Sequence, residues 1–189
     1  MRVSVPEPLD GRVAKTFARV VVTGSECTGK TTLSQSLAAR LGALWVPEYA
    51  RAYAESVARP LTRDDVDVIA RGQIAIEDAG AATAPAFVVQ DTDIVSTVVY
   101  ARHYYGACPD WIVAAARRRL APLYLLSDVD IPWVRDAVRD QPLERHLVDA
   151  HFRETLAEFD ANVVRLSGLG AHRLDNAMTR IGDWRNQLL

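Results

Sequence analysis

Short apolar runs alternate with longer stretches of helical spacing along this chain. Val20 to Thr23, Leu44 to Val46, Phe87 to Gln90, Leu123 to Leu126 and Val163 to Leu166 are brief, rich in β-branched or aliphatic residues, and bounded by glycine, proline or polar residues. That pattern predicts five buried strands. Between them, the spacing predicts helices over Thr31 to Leu41, Tyr49 to Val57, Arg63 to Ala82, Thr92 to Tyr104, Asp110 to Arg119, Leu143 to Phe159 and Ala171 to Gln187. Gly42 is a stop signal after the first helix, and Pro47 ends the second strand. Strands alternating with helices imply a parallel sheet covered on both faces. Ligands of such sheets gather beyond the carboxyl ends of the strands. No repeat or low-complexity linker interrupts the pattern, so residues 19–189 read as one domain behind a short tail, 1–18.

The turn after the first strand reads GSECTGKT, Gly24 to Thr31. It satisfies G-x-x-x-x-G-K-[ST] in the setting that motif requires, a strand before and a helix after. Gly24 and Gly29 permit backbone conformations and close approaches that a side chain would block. The N–H groups from Ser25, Glu26, Cys27 and Thr28 through Thr32, together with the helix N-terminus, surround phosphate oxygens. Lys30 reaches the β- and γ-phosphates, and the Thr31 hydroxyl coordinates Mg²⁺. The bland reading is a chance match at an ordinary strand–helix turn. Cys27 is read as a tolerated small residue.

Carboxylates follow the second and third strands. VVQDTD sets Asp91 and Asp93 at the end of the third strand, where a carboxylate holds Mg²⁺ through water or orients a nucleophile. The competing reading is that Asp91 or Thr92 caps the next helix. VPEYARAY sets Glu48 at the end of the second strand, with Arg51 one helical turn on. As a bare surface ion pair they contribute little. As a site, Glu48 accepts from acceptor hydroxyls and Arg51 approaches phosphate or sugar. Trp45, Tyr49 and Tyr53 in the same stretch either pack or offer a ring for stacking. IPWVRDAVRDQPLER, near 131–145, carries Arg135, Arg139 and Arg145 after the fourth strand, where a lid belongs. Arginine suits a transferred phosphate because its planar fork pairs with two oxygens. The interleaved Asp136, Asp140 and Glu144 make a self-paired, solvated face the alternative.

Composition narrows the partners. The 189 residues are 49% hydrophobic and 24% charged, with a net charge of −2. That balance gives no general attraction to nucleic acid or anionic membrane. No apolar run approaches the ~20 residues of a membrane span. Two cysteines, Cys27 and Cys108, do not make a disulfide scaffold and fit a reducing cytoplasm. Lys15 and Lys30 are the only lysines, so the one in the loop is not interchangeable with many others.

RVVVTGSECTGKTTL, VPEYARAY, VVQDTD and YLLSDVDIPWVRDAVRD occur in an order that resembles the ribosylnicotinamide kinase domain of NadR-type proteins, over about Arg19 to Gly168. The resemblance implies a thymidylate-kinase-like P-loop NTPase fold, α/β in three layers, with a five-stranded parallel sheet in order 2-3-1-4-5. It implies ATP and Mg²⁺ as cofactors and phosphorylation of nicotinamide riboside to nicotinamide mononucleotide. It implies that Lys30 and Thr31 serve ATP·Mg²⁺, that Glu48 and Asp91 bind acceptor, organise metal or act as base, and that Arg139 is the lid arginine. Tyr49, Arg51, Asp93 and Arg135 complete the expected acceptor side. Bifunctional members carry further domains ahead of the kinase. With fewer than 20 residues before the first strand, adenylyl transfer and repression are not expected here. Two other readings stay open: a kinase for another nucleoside or nucleotide, and a regulatory protein that uses ATP or GTP as a switch. No N-K-x-D motif supports guanine reading.

Overall fold

A computed structural model of the chain describes residues 18–83, 86–130 and 144–187. Twelve elements follow one another in these residues: β1 (Ala18–Thr23), α1 (Lys30–Leu41), β2 (Leu44–Val46), α2 (Tyr49–Val57), α3 (Asp65–Ala82), β3 (Phe87–Asp91), α4 (Ile94–Tyr105), α5 (Asp110–Arg118), β4 (Leu123–Ser127), α6 (Glu144–Glu158), β5 (Val163–Leu166) and α7 (Gly170–Asn186). The strands form one parallel sheet in the order β2-β3-β1-β4-β5. This is the order implied by the motif resemblance.

The alternation of side chains along the strands explains the two-faced core. Val20 and Val22 of β1 point one way with Val89, Leu123 and Leu125, against Leu33 and Leu37 of α1 and Ala177 and Ile181 of α7. Val21 points the other way with Tyr124 and Leu126, against α4, α5 and α6. Both faces are dry: Val20, Val21, Val22, Leu123 and Leu125 have no exposed surface. Fully burying one such aliphatic side chain contributes about 1.5–3 kcal/mol. Two covered faces are why these strands read as continuous apolar runs.

Register places the chemistry. β1 lies between β3 and β4, with Val22 opposite Asp91 and Thr23 opposite Leu126. The loop after β1, the carboxylate ending β3 and the exit of β4 therefore share one edge of the sheet. Gly24, at φ 130°, lies so close to β4 that a Cβ there would stand 3.0 Å from the Ser127 carbonyl. Glycine is required at that position on both counts.

One boundary differs from expectation for a physical reason. The spacing predicts α4 from Thr92, yet the helix begins at Ile94. Thr92 is left-handed at φ 63°, and Asp93 is the N-cap, its carboxylate accepting the Val95 N–H at 3.0 Å. The cap is thus Asp93, not Asp91 or Thr92. Arg135 and Arg139, the 1–17 tail and nearly all of the expected lid lie outside the described residues.

Candidate active site

The loop from Gly24 to Gly29 is held open by its own bonds. The Ser25 carbonyl accepts the Thr28 hydroxyl at 2.8 Å and the Lys30 Nζ at 2.7 Å. Cys27 at φ 54° and Gly29 at φ 75° are left-handed, alternating with ordinary backbone. Such alternation turns successive N–H groups into one concavity, an anion-binding nest. α1 starts at Lys30, so its unpaired N–H groups and positive dipole end open on the same spot. Thr28 is buried, Glu26 and Cys27 are half-buried, and Thr32 is exposed on the first turn of α1.

Asp91 ends β3 and is 1% exposed. Burial pushes its carboxyl above the ordinary carboxylate range. The Thr31 hydroxyl, Lys30 and Arg51 act in the other direction, while the Glu48 charge adds to the rise. Those influences locate the group: phosphate-loop residues Lys30 and Thr31 on one side, Glu48 and Arg51 of the α2 entrance on the other. Asp91 Oδ1 is buried with no hydrogen-bond partner. A buried carboxylate oxygen without a partner is costly unless something cationic or protic meets it. Oxygen donors from a carboxylate and a hydroxyl beside a phosphate nest suit Mg²⁺, which retains most of its coordination for water and phosphate. Thr31 and Asp91 therefore fit the metal expected at this loop.

Glu48 occupies the N-cap position of α2 but makes no capping bond with its side chain. Its carboxylate is instead 3.9 Å from Arg51 Nε, and it is more sheltered than its partner, 18% against 43% exposed. The backbone there is fixed by other residues. The Tyr49 N–H donates to Gln73 Oε1 at 3.0 Å. The Tyr49 ring lies on Gly72, where an added Cβ would come within 2.1 Å of the ring. Tyr49 also stacks on Tyr53, with ring centroids 6.2 Å apart. Tyr53 donates to Asp65 at 2.7 Å, and Arg59 closes on the same carboxylate through both Nη atoms at 2.7 and 2.8 Å. Arg59, first, and then the Thr62 N–H and the Tyr53 hydroxyl hold the Asp65 carboxyl well below the usual range. α2 has no buried residue of its own. It is pinned to α3 through Gln73, Gly72 and Asp65, and this fixes where Glu48 and Arg51 stand.

Lys30, Thr31, Glu48, Arg51 and Asp91 are thus brought together, with Tyr49 at the rim. Asp93 is not brought to that opening. It is 1% exposed, caps α4, and accepts the Tyr124 hydroxyl at 2.6 Å. Burial, and then the neighbouring Glu77 charge, push its carboxyl up to about 7. Trp45 is also committed elsewhere, donating from Nε1 to Ser34 Oγ at 3.0 Å and packing between β2 and α1. Cys108 is distant chemistry: burial raises its thiol to about 11, the inert end of thiol behaviour.

Sequence reasoning missed two residues near the loop. Arg173, in the first turn of α7, reaches the loop carbonyl of Thr28, and Asp130 after β4 accepts from Arg173. An arginine 145 positions away in a late helix carries no local motif that could announce this contact. Among the described residues, no helix is long and apolar enough to cross a membrane.

A five-stranded parallel sheet with a glycine-lysine-threonine loop between β1 and α1 defines a P-loop nucleotide-binding protein of the α/β class. A family model described as an AAA domain matches residues 19–173, most of the chain, and the chain belongs to that family. The chain is 30% identical over 128 residues to the trifunctional NAD biosynthesis/regulator protein NadR of Salmonella typhimurium, covering 65% of this chain and 31% of that protein. The match to the Escherichia coli K12 protein of the same name is 30% over 130 residues, with the same coverages. Among solved structures, the NadR protein in complex with NR superposes with TM-score 0.71 and 28% identity, over 89% of this chain and 49% of that one. NadR in complex with NAD and AMP-PNP matches with the same score and identity, over 90% and 50%. Thymidylate kinase from Ehrlichia chaffeensis, at TM-score 0.64 and 16% identity over 87% and 98%, shares the fold. The chain spans about a third of the length of the curated relatives it matches.

Proposed function

We propose that this protein is an ATP-dependent small-molecule kinase, and that its acceptor is nicotinamide riboside. The observation that carries the proposal is that Asp91 accepts from Thr31 and feels the charges of Lys30 and Glu48, which brings the donor loop and the acceptor carboxylates to one edge of the sheet. The likeness to NadR, solved with NR and with AMP-PNP, supports the choice of acceptor and donor.

The nest of the loop holds the β- and γ-phosphates, and Lys30 moves from the Ser25 carbonyl onto their bridging region. Thr31 and Asp91 are the residues that would hold Mg²⁺, which supplies charge neutralisation on the phosphates. Glu48, uncommitted to capping and paired only loosely with Arg51, accepts the hydrogen bond of the acceptor hydroxyl. In transfer, the acceptor oxygen forms a bond to Pγ, the bond from Pγ to the β–γ bridging oxygen breaks, and the acceptor proton passes to a carboxylate. Holding both reactants in line supplies most of the rate. Arg51 and Lys30 stabilise charge on the moving phosphoryl group. Tyr49 belongs to the same proposal as a ring on which the acceptor's planar base would rest. Arg135 and Arg139, outside the described residues, belong to the same proposal as lid arginines, and residues 19–189 as its single kinase domain. The reading is that of a cytoplasmic enzyme with a small-molecule partner and no nucleic-acid or membrane partner.

The test is a transfer assay on the full chain with Mg·ATP, offering nicotinamide riboside alongside common nucleosides and nucleotides. Acceptor-dependent ADP release and a 5′-phosphorylated product with nicotinamide riboside are expected. Preference for a different nucleoside moves the proposal to that acceptor. ATP binding without any acceptor turnover overturns the kinase reading in favour of a nucleotide-dependent switch.

A further inference from the structure

Arg173 is 3% exposed although it belongs to a helix whose outer face is solvated. Its Nη1 donates to the Thr28 carbonyl at 2.6 Å. Its Nη2 donates to Asp130 and stands 3.5 Å from the Asp128 carbonyl. The second oxygen of Asp130 accepts the Gly168 N–H at 2.7 Å. One guanidinium therefore ties together the phosphate loop, the exit of β4 and the β5–α7 turn.

The contact with Thr28 has a specific consequence. In a trans peptide the C=O and N–H point to opposite sides. The Thr28 carbonyl belongs to the same peptide unit as the Gly29 N–H. Drawing the carbonyl onto a buried guanidinium turns that N–H away from α7 and into the nest, whose left-handed members are Cys27 and Gly29. A charged donor on the carbonyl also polarises the peptide, so that its N–H becomes a stronger donor. Gly29 contributes no side chain, and the Thr28 hydroxyl is already bonded to Ser25. The orientation of this peptide therefore depends on the partner of its carbonyl.

We infer that Arg173 is a positioning residue for the phosphoryl donor: through the Thr28–Gly29 peptide it aims an N–H at the donor phosphates, and Asp130 holds its guanidinium in place. The inference rests on reading the loop as the ATP site. Lysine keeps the charge at this position but has no planar fork to reach the Thr28 carbonyl and Asp130 together.

The experiment measures calorimetric Kd for Mg·ATP, KM for ATP and for nicotinamide riboside, and Tm without ligand. It uses the parent chain, Arg173→Lys, Asp130→Asn and the double variant. Arg173→Lys is expected to weaken Mg·ATP about tenfold, the usual scale of one lost charge-assisted hydrogen bond. The acceptor KM is expected to stay within about twofold, well inside that scale. Asp130→Asn, on a partly exposed side chain, loses less, and the double variant is no worse than Arg173→Lys because both act on one linkage. Should Arg173→Lys fail to fold, Asp130→Asn carries the same expected split between donor and acceptor constants. Parental ATP affinity in the variants, or equal losses in donor and acceptor constants, overturns the inference and leaves the kinase proposal intact. A parent chain that binds no ATP overturns both.

Discussion

The phenol of Tyr124 donates to Asp93 Oδ2 at 2.6 Å, joining the middle of β4 to the start of α4 inside the core. The same carboxylate accepts the Val95 N–H, and Glu77 takes the neighbouring Ile94 N–H at 3.2 Å. Two acids therefore share one helix N-terminus, with Arg119 closing on Glu77 at 3.1 Å. Burial and the Glu77 charge favour the protonated form of Asp93, whose carboxyl lies near 7.

The direction of the pH effect follows. The folded state keeps a proton on Asp93 that the unfolded chain releases near 3.8, the ordinary range of an aspartate. Where the native state binds more protons, stability falls as pH rises. This group's contribution is therefore greatest below about 4 and declines toward about 7. Asp93→Asn, neutral at every pH, keeps an oxygen for the Val95 N–H, presents an amide N–H to the Tyr124 oxygen, and removes the decline. Melting temperatures between pH 4 and 8 should show a flatter profile for the variant. Parallel profiles for the two proteins would rule out the assignment to Asp93. Tyr124→Phe removes the donor without opening a large cavity, and an unfolding titration in urea should show a loss of about 1–3 kcal/mol.

The Asp93 case also shows what the sequence could and could not disclose. The central strands were legible because β1, β3 and β4 are buried on both faces, so apolar runs such as Val20–Thr23 and Phe87–Gln90 stand out. The loop was legible because GSECTGKT concentrates its chemistry in consecutive residues. The carboxylates were legible only as far as the strand ends: VVQDTD puts Asp91 and Asp93 side by side, and periodicity cannot say which faces the loop. The turn decides it. The left-handed Thr92 reverses the chain between the two acids, leaving Asp91 beside Lys30 and Thr31 and turning Asp93 into the core. A β-branched residue in that conformation has no sequence signature. Arg173 was illegible for a different reason, since its partners lie 43 and 145 positions away.

Gly72 is the seat of Tyr49. A methyl group there overlaps the ring at 2.1 Å, and the ring stands on a helix without buried residues. Gly72→Ala must therefore unseat the Tyr49 ring and weaken the hold of α3 on α2, at about 1–3 kcal/mol for overpacking. The loss of that seat displaces Glu48 and Arg51, so acceptor KM should rise severalfold while KM for ATP holds. Tyr49→Ala removes the obstruction. The two substitutions together should cost less stability than their sum, a coupling read by a double-mutant cycle in urea. Additive losses would mean that ring and glycine do not meet.

Lys30 and Glu48 separate by kinetic signature. Lys30→Ala removes the charge that follows the phosphoryl group, and kcat should fall by about 100-fold or more, the scale of one lost transition-state stabiliser. The fold should persist, because the Lys30 ammonium donates to the Ser25 carbonyl of its own loop, whose backbone the substitution leaves in place. Glu48→Gln keeps the size of the side chain and weakens its acceptance of a hydroxyl. A rise mainly in acceptor KM assigns it to binding, a fall mainly in kcat assigns it to proton transfer. Both constants unchanged would remove Glu48 from the site.

Asp91 should show stability and activity moving in opposite directions. Its Oδ1 is buried without a partner, and burial already lifts its carboxyl above the ordinary range. In the absence of ligand this charge works against the folded state, as groups held ready for function commonly do. Asp91→Asn removes it at constant volume. The variant should melt at the parental temperature or a few degrees higher, a ΔΔG of about 1 kcal/mol giving a shift of that size in a domain this long. Its kcat should fall by about 100-fold or more, because the residue that would organise the metal with Thr31 has lost its charge. Mg²⁺ titration gives the decisive comparison. The parent should saturate normally, and Asp91→Asn should need far more Mg²⁺ to reach half of its own maximal rate. A variant that is less stable and shows an unchanged Mg²⁺ requirement would make Asp91 a structural residue of β3 instead.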